Sequence, residues 1–233
     1  MPGCLETAGE DMAVAAALAW RAGRLRGEPG WEAYRPPAGC YLYNATGLHG
    51  LGHAARVLVW ADLLAMRMQE EGIAVDREAV RWAATLHDVR RINDGHDALH
   101  GSRCAVWVRE RGGGLLSGVN AKRLDRIAYC CNWHVPPDDA APAMTPELVC
   151  LKDADALDRV RLSGPDLRQL RTAFARQLVG QARFLCDTSQ VLPAYRTESW
   201  HAVHIAAARM GLWSSGAGAD TSGLHRWLRY FTT

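Results

Sequence analysis

Apolar side chains recur at helical spacing along most of this chain, and this pattern constrains its fold more than any other feature of the sequence. The longest such segment runs from about Leu48 to Glu71, where Gly72 is placed to end it. One face of that segment carries Leu51, Ala55, Leu58 and Leu63. Alternating strand patterns joined by Asn-Gly or Asp-Gly turns, which are typical of β-hairpins, do not recur. We therefore predict an all-α protein.

Capping residues predict where the other helices begin and end. Asp76 is a plausible N-cap for a helix over 77–89, and Thr145 followed by Pro146 is typical of the start of another. Further helical segments cover 10–27, 97–112, 120–134 and 147–160, and two or three more complete the chain. With no repeat period and no convincing linker, the sequence predicts a single all-helical domain over 1–233.

Composition places the chain among globular proteins and excludes several functions. It is 48% hydrophobic and 22% charged, with a net charge of +2, so it has no overall attraction to nucleic acid or to a membrane surface. No run of eighteen apolar residues occurs, and the N-terminus MPGCLETAGEDM is acidic, unlike a signal peptide. Seven cysteines without CxxC spacing are typical of reduced thiols. We expect a cytoplasmic protein, whose oligomeric state stays open.

Histidines and aspartates follow one another along the chain in an order that suggests a metal site. The candidate ligands are His53, His87-Asp88, His100, His134, Asp153 and Asp155. A His-Asp pair alone means little, because about 0.6 such pairs are expected by chance in this composition. Imidazole and carboxylate together suit Fe, Mn, Co, Ni or Zn, and a site with open positions can activate water.

Two His-Asp pairs compete for the role of ligand pair. Adjacent helical residues point about 100° apart, so His87 and Asp88 can share one ion only from a helix end that faces a pocket, and the sequence places them at such an end. The second pair, His96-Asp97, follows Asn93-Asp94-Gly95, where Asp94 or Asp97 would more naturally cap the next helix. We therefore interpret the first pair as the ligands.

Five motifs between 48 and 162 resemble those of the HD-domain superfamily of metal-dependent phosphohydrolases. They are HGLGHAARV, AATLHDV, DALHGSRCA, CNWHV and LKDADALDR. The resemblance implies an HD-type helical core over about 48–162, with additional N- and C-terminal helices. It also implies His53, His87, Asp88 and Asp155 as metal ligands, with Asp153 as the alternative to Asp155. One or two divalent ions are expected, chosen from Fe, Mn, Co, Ni, Zn or Mg.

The resemblance also implies roles for residues around the ion. His100 and His134 either bind a second ion or face the phosphate, where one of them could protonate the leaving oxygen; with Asp88 they form the expected catalytic group. Some branches carry a glutamate where this chain has Arg91, so we expect Arg91, or neighbouring Arg90, to bind phosphate instead.

The remaining expectations are less direct. Arg56, one turn from His53, is a further candidate for phosphate binding, and Asp153 could meet substrate if it is not a ligand. His49 lies four residues before His53, but no motif requires it, so we interpret it as a pocket-rim residue.

The implied function is hydrolysis of a phosphomonoester, phosphodiester or phosphoanhydride by metal-activated water. A nucleotide or another small phosphorylated molecule is the expected substrate. Two alternatives stay open. One is a nucleotide-binding sensor with little turnover, and the other is a di-iron oxygenase on the same fold.

Overall fold

The computed structural model describes residues 30–162, 164 and 166–213, and this part of the chain contains helices but no strand. Its α-helices are α1 (Leu51–Glu70), α2 (Arg77–Leu86), α3 (His100–Arg109), α4 (Ala121–Trp133), α5 (Pro146–Asp158), α6 (Ala173–Gln177), α7 (Val179–Gln190) and α8 (Ser199–Arg209). Short 3₁₀ helices lie between several of them, as at Asp138–Ala140 and Arg159–Arg161. The all-α prediction is confirmed. The helix predicted over 10–27 lies outside the described residues.

Helix α1 is the central element of the fold. It packs against α2, α5 and α8, and nearly all of its residues are buried, including Val57 and Trp60. A helix that is apolar on most sides is stable only when other helices surround it. None of the helices in the described ranges is long and apolar enough to cross a membrane.

The caps hold as the sequence predicted. Asp76 accepts a hydrogen bond from the Ala79 backbone N–H, and Thr145 accepts one from that of Leu148, with Pro146 in the first turn. Each cap satisfies a backbone donor that the helix leaves free. These caps fix the start of α2, which leads to the first His-Asp pair, and of α5, which carries Asp155.

Two helix starts differ from the prediction. Helix α1 begins at Leu51 rather than Leu48, because the chain turns at 45–50 and the Leu51 N–H bonds the Ala45 carbonyl at 2.7 Å. Helix α3 begins at His100, and the expectation that Asp94 or Asp97 caps it is wrong. Asp97 instead accepts from the Ile92 N–H and from Arg103, so it holds the preceding loop together.

Candidate metal centre

Ends of several helices bring the predicted ligands to one place. His53 lies in the first turn of α1, His87 directly follows α2, His100 opens α3, and His134 caps the end of α4. Asp155 lies on α5, which packs against α1 and α2. Because α2 ends at Leu86, His87 and Asp88 lie where two consecutive side chains can reach the same space.

One group of ligand atoms lies around the Oδ2 atom of Asp88. The Nε2 atom of His53 lies 3.1 Å from His87 Nε2, 3.4 Å from Asp88 Oδ2 and 3.5 Å from Asp155 Oδ1. His87 Nε2 lies 4.0 Å from the same Asp155 oxygen. We call these four residues the first cluster. The ligand atoms of His53, His87 and Asp155 all lie within 4.8 Å of one another, which is close enough to hold one ion.

A second group surrounds the other oxygen of Asp88. His100 Nε2 lies 2.9 Å from Asp88 Oδ1 and 2.9 Å from His134 Nε2, which in turn lies 3.8 Å from Asp88 Oδ1. We call His100, His134 and Asp88 the second cluster. Asp88 therefore stands between the two clusters and presents one carboxylate oxygen to each.

Hydrogen bonds on the far side of each ring decide which imidazole nitrogen carries the proton. The Nδ1 atoms of His87, His100 and His134 contact the carbonyl oxygens of residues 84, 97 and 131 at 2.9, 2.5 and 2.7 Å. A carbonyl oxygen only accepts, so Nδ1 must donate and each neutral ring turns the lone pair of Nε2 inward. The Nε2 lone pairs of His100 and His134, which face each other at 2.9 Å, repel unless a cation lies between them. This donor set fits a divalent metal ion.

Protonation states in the clusters also suit a cation. Burial lowers the pKa of His87 to about 3, so this ring stays neutral and able to ligate at neutral pH. Burial opposes ionisation of Asp88, but the surrounding imidazoles outweigh it and hold the pKa of its carboxyl well below the usual range. Burial and Arg161 lower the pKa of His53, whereas hydrogen bonds with Asp158 and Asp88 raise it above its ordinary value. A proton therefore competes with an ion at His53.

Arg56 does not contact the cavity beside the clusters, so the expectation that it binds substrate phosphate is corrected. Its side chain is buried, with Nε donating to Asp158 Oδ1 at 2.6 Å and Nη1 to the Tyr195 hydroxyl at 2.8 Å. Asp158 Oδ2 accepts in turn from His53 Nδ1 at 2.7 Å. Arg56 thus fixes the carboxylate that orients a candidate ligand.

We expect Asp158→Asn to weaken metal binding by about 10- to 100-fold, because the amide replaces the charge that orients His53 and balances Arg56. Titration of the metal against a competing chelator measures the loss, and circular dichroism checks that the helices persist. Asp166→Asn is the matched control, since Asp166 pairs only with the highly exposed Arg168. Equal metal affinity in wild type and Asp158→Asn contradicts the role of Asp158.

Asp155 and Asp153 lie on different sides of α5. The Asp155 side chain is 36% exposed and lies against His53 and His87. Asp153 is fully buried, and its carboxylate accepts from the backbone N–H groups of Arg171 and Thr172 at 2.7 and 2.9 Å. The expectation that Asp153 meets substrate is therefore corrected, because its oxygens hold the segment that leads into α6.

A cavity of about 840 Å³ opens above the two clusters. Asp88, His100, His134 and Asp155 contribute to its lining. The cationic side chains around it are Arg91, Lys152, Arg159, Arg161, Arg168 and Arg171. Five aspartates line it as well: Asp88, Asp94, Asp138, Asp139 and Asp155. With Asp88 and Asp155 engaged by ions, six cations face three carboxylates, so the lining favours an anion that is large enough to span the ligands and the surrounding arginines.

Arg91 lines the cavity, whereas Arg90 does not. Arg91 Nη1 lies 3.5 Å from Asp88 Oδ1 and 3.4 Å from His100 Nε2, and Nη2 donates to the Gly95 carbonyl at 2.5 Å. Arg90 donates to the Cys40 carbonyl and stacks over Trp107. Of the two alternatives, only Arg91 is placed to meet a substrate.

Three residues of the site escaped the sequence interpretation. His49 Nδ1 lies 2.6 Å from Asp88 Oδ2, so His49 orients the carboxylate shared by both clusters rather than only lining the rim. Its spacing from His53 was a usable signal. Asp158 and Arg161 follow the last motif at positions where a charged residue in an apolar helix end could have suggested a buried ion pair.

Comparison with known proteins supports the same assignment. Residues 50–160 match the family model described as the HD domain. Neither the curated proteins nor the solved structures gave a match to the chain. The matched residues include both clusters, from His53 to Asp155. Residues 50–160 of the chain are therefore an HD domain.

Proposed function

We propose that this protein is a metal-dependent phosphohydrolase that acts on a nucleotide or another small phosphorylated molecule. One observation carries the proposal: the Nε2 lone pairs and carboxylates of two clusters meet at a cavity lined by six cationic side chains. Metal ligands without such a lining would serve many reactions. Metal ligands together with a cationic lining favour an anionic substrate whose reacting atom lies beside the ions.

The first cluster would hold one ion through His53, His87, Asp88 and Asp155. When bound, a divalent ion polarises phosphoryl oxygens and lowers the pKa of water. Two side chains position the ligands of this ion. Asp158 fixes the His53 ring, and His49 holds Asp88 with Oδ2 toward the first cluster. Arg91 lies beside the same carboxylate, where its charge can stabilise a phosphoryl oxygen.

His100 and His134 fit the role of ligands better than that of general acids. Their Nδ1 atoms donate to backbone carbonyls, so in the neutral tautomer the Nε2 atoms that face Asp88 present lone pairs rather than protons. A general acid needs a proton at the atom that faces the leaving oxygen. We therefore assign both histidines to a second ion that shares Asp88 with the first.

The alternatives make different demands on the cavity. A di-iron oxygenase could use the same two clusters, but its chemistry does not require a cationic lining. A sensor would bind a nucleotide at this lining but would not hydrolyse it. Oxygen uptake coupled to substrate loss identifies the oxygenase, and nucleotide binding without product, with several metals added, identifies the sensor.

The proposal is tested by removing and restoring the metal. The purified protein is dialysed against a chelator and then assayed with added Mn, Fe, Co, Ni, Zn or Mg. The substrates are p-nitrophenyl phosphate, bis-p-nitrophenyl phosphate and a set of nucleotides. We expect the chelated protein to be inactive and at least one metal to restore phosphate or nucleotide release, because the donor set requires a cation. Activity that survives chelation contradicts a metal-dependent reaction.

A further inference from the structure

Arg161 is a buried cation at the edge of the first cluster. Its carboxylate partner, Asp158, already pairs with two other side chains. The Arg161 side chain is only 4% exposed, and its Nη1 donates to the Asp158 backbone carbonyl at 3.0 Å and lies 3.4 Å from Asp158 Oδ2. That carboxylate already accepts from Arg56 at 2.6 Å and from His53 at 2.7 Å. Two arginines therefore surround one aspartate, which leaves one positive charge in excess.

The remaining donors of Arg161 lack acceptors. Its Nε is buried without a hydrogen-bond partner. Its Nη2 lies 3.4 Å from His49 Nδ1, but that nitrogen lies 2.6 Å from Asp88 Oδ2, a carboxylate oxygen to which it donates. One nitrogen cannot both donate to Asp88 and accept from Arg161. Buried N–H groups without an acceptor are costly, unless a ligand completes them.

Arg161 also lines the cavity, on the side where His49 contacts Asp88. We infer that Arg161 binds a terminal phosphoryl group of the substrate while that group lies beside the metal ligands. The inference rests on the proposed function and adds the substrate class to it. A guanidinium forms paired hydrogen bonds to phosphate oxygens, which a lone ammonium cannot do.

The number of phosphate oxygens favours a terminal group over a diester. A terminal phosphoryl group has three non-bridging oxygens, enough to meet the ions and an arginine at once. A phosphodiester has two such oxygens and a single charge. Arg91 Nη1 lies 3.5 Å from Asp88 Oδ1, and Arg161 Nη2 lies 3.4 Å from His49, which contacts the other oxygen of Asp88. Two cations near one carboxylate at the cavity match a dianion better than a monoanion.

The test measures phosphate binding rather than turnover. Metal-loaded wild type, Arg161→Gln, Arg161→Lys and the control Arg67→Gln are titrated with inorganic phosphate and with dimethyl phosphate by calorimetry, with metal content measured in each sample. Arg67 lies on α1 outside the cavity lining and pairs with Glu70 and Glu71 at the surface, so its loss should have little effect on phosphate binding.

We expect Arg161→Gln to bind inorganic phosphate about 10- to 100-fold more weakly at unchanged metal content, because a charged hydrogen-bond donor to the dianion is removed. Arg161→Lys should lie between it and wild type. Wild type should prefer inorganic phosphate over dimethyl phosphate about 10-fold or more, and Arg161→Gln should lose most of this preference.

Two results overturn the inference. One is phosphate affinity in Arg161→Gln equal to that of Arg67→Gln. The other is a loss of phosphate binding that only follows a loss of metal, which would mean that Arg161 acts through Asp158. Failure of the proposed function has a separate signature. A wild type that binds phosphate through Arg161 but hydrolyses no substrate keeps the inference and refutes the phosphohydrolase.

Discussion

Asp88→Asn is expected to remove most of the bound metal and to lower hydrolysis by about 10³-fold or more. Among the described residues, Asp88 is the one carboxylate that belongs to both clusters, with Oδ2 3.4 Å from His53 Nε2 and Oδ1 2.9 Å from His100 Nε2. The amide keeps the size of the side chain, but it carries no charge and turns an NH₂ donor toward one of the clusters. Metal analysis after dialysis and assay with the best wild-type substrate measure both losses.

Asp139→Asn is the matched control for this substitution. Asp139 lines the same cavity and is exposed, and it lies outside both clusters. It should therefore keep the metal content of the wild type. If Asp88→Asn kept its metal while losing activity, Asp88 would act on the substrate and not as a ligand. If it kept both, the proposed centre would be wrong.

The sequence predicted the fold well because the features that specify it are local. The capping residues Asp76 and Thr145 act within three positions of themselves, so they can be recognised before any tertiary contact is known. The apolar pattern of α1 likewise predicts a helix from the residues within it. Its start was misplaced because the chain turns just before the helix, where the Leu51 N–H bonds the Ala45 carbonyl, and no residue pattern marks this turn.

Residues around the ligands were harder to predict, because their roles depend on partners far along the chain. Arg56 and Asp158 are 102 positions apart, and only the packing of α1 against α5 shows that they neutralise each other. The same limit applies to Asp153, whose acceptors hold residues 171 and 172. Helical spacing gave the correct separation of Asp153 from Asp155, but it could not show which of them faces the cavity.

The second prediction with a large expected effect concerns the number of bound ions. We expect the wild type, saturated with its preferred metal, to hold two ions per chain. The double variant His100→Gln/His134→Gln should hold one and hydrolyse its substrate about 10²-fold or more slowly. The reason is that the two clusters are separate. The double variant removes both imidazole nitrogens near Asp88 Oδ1. It leaves the ligands of the first cluster in place, which are His53, His87, Asp155 and Asp88 Oδ2. Elemental analysis of protein of known concentration counts the ions directly.

His201→Gln/His204→Gln is the matched control, since this pair lies on α8 and belongs to neither cluster. The competing arrangement is specific: Arg91 Nη1 lies 3.4 Å from His100 Nε2, and its N–H could use the lone pair that we assign to an ion. In that case the wild type would hold one ion, and the double variant would keep it while losing phosphate binding. Equal metal content in wild type and double variant therefore refutes the second ion and returns His100 and His134 to the substrate.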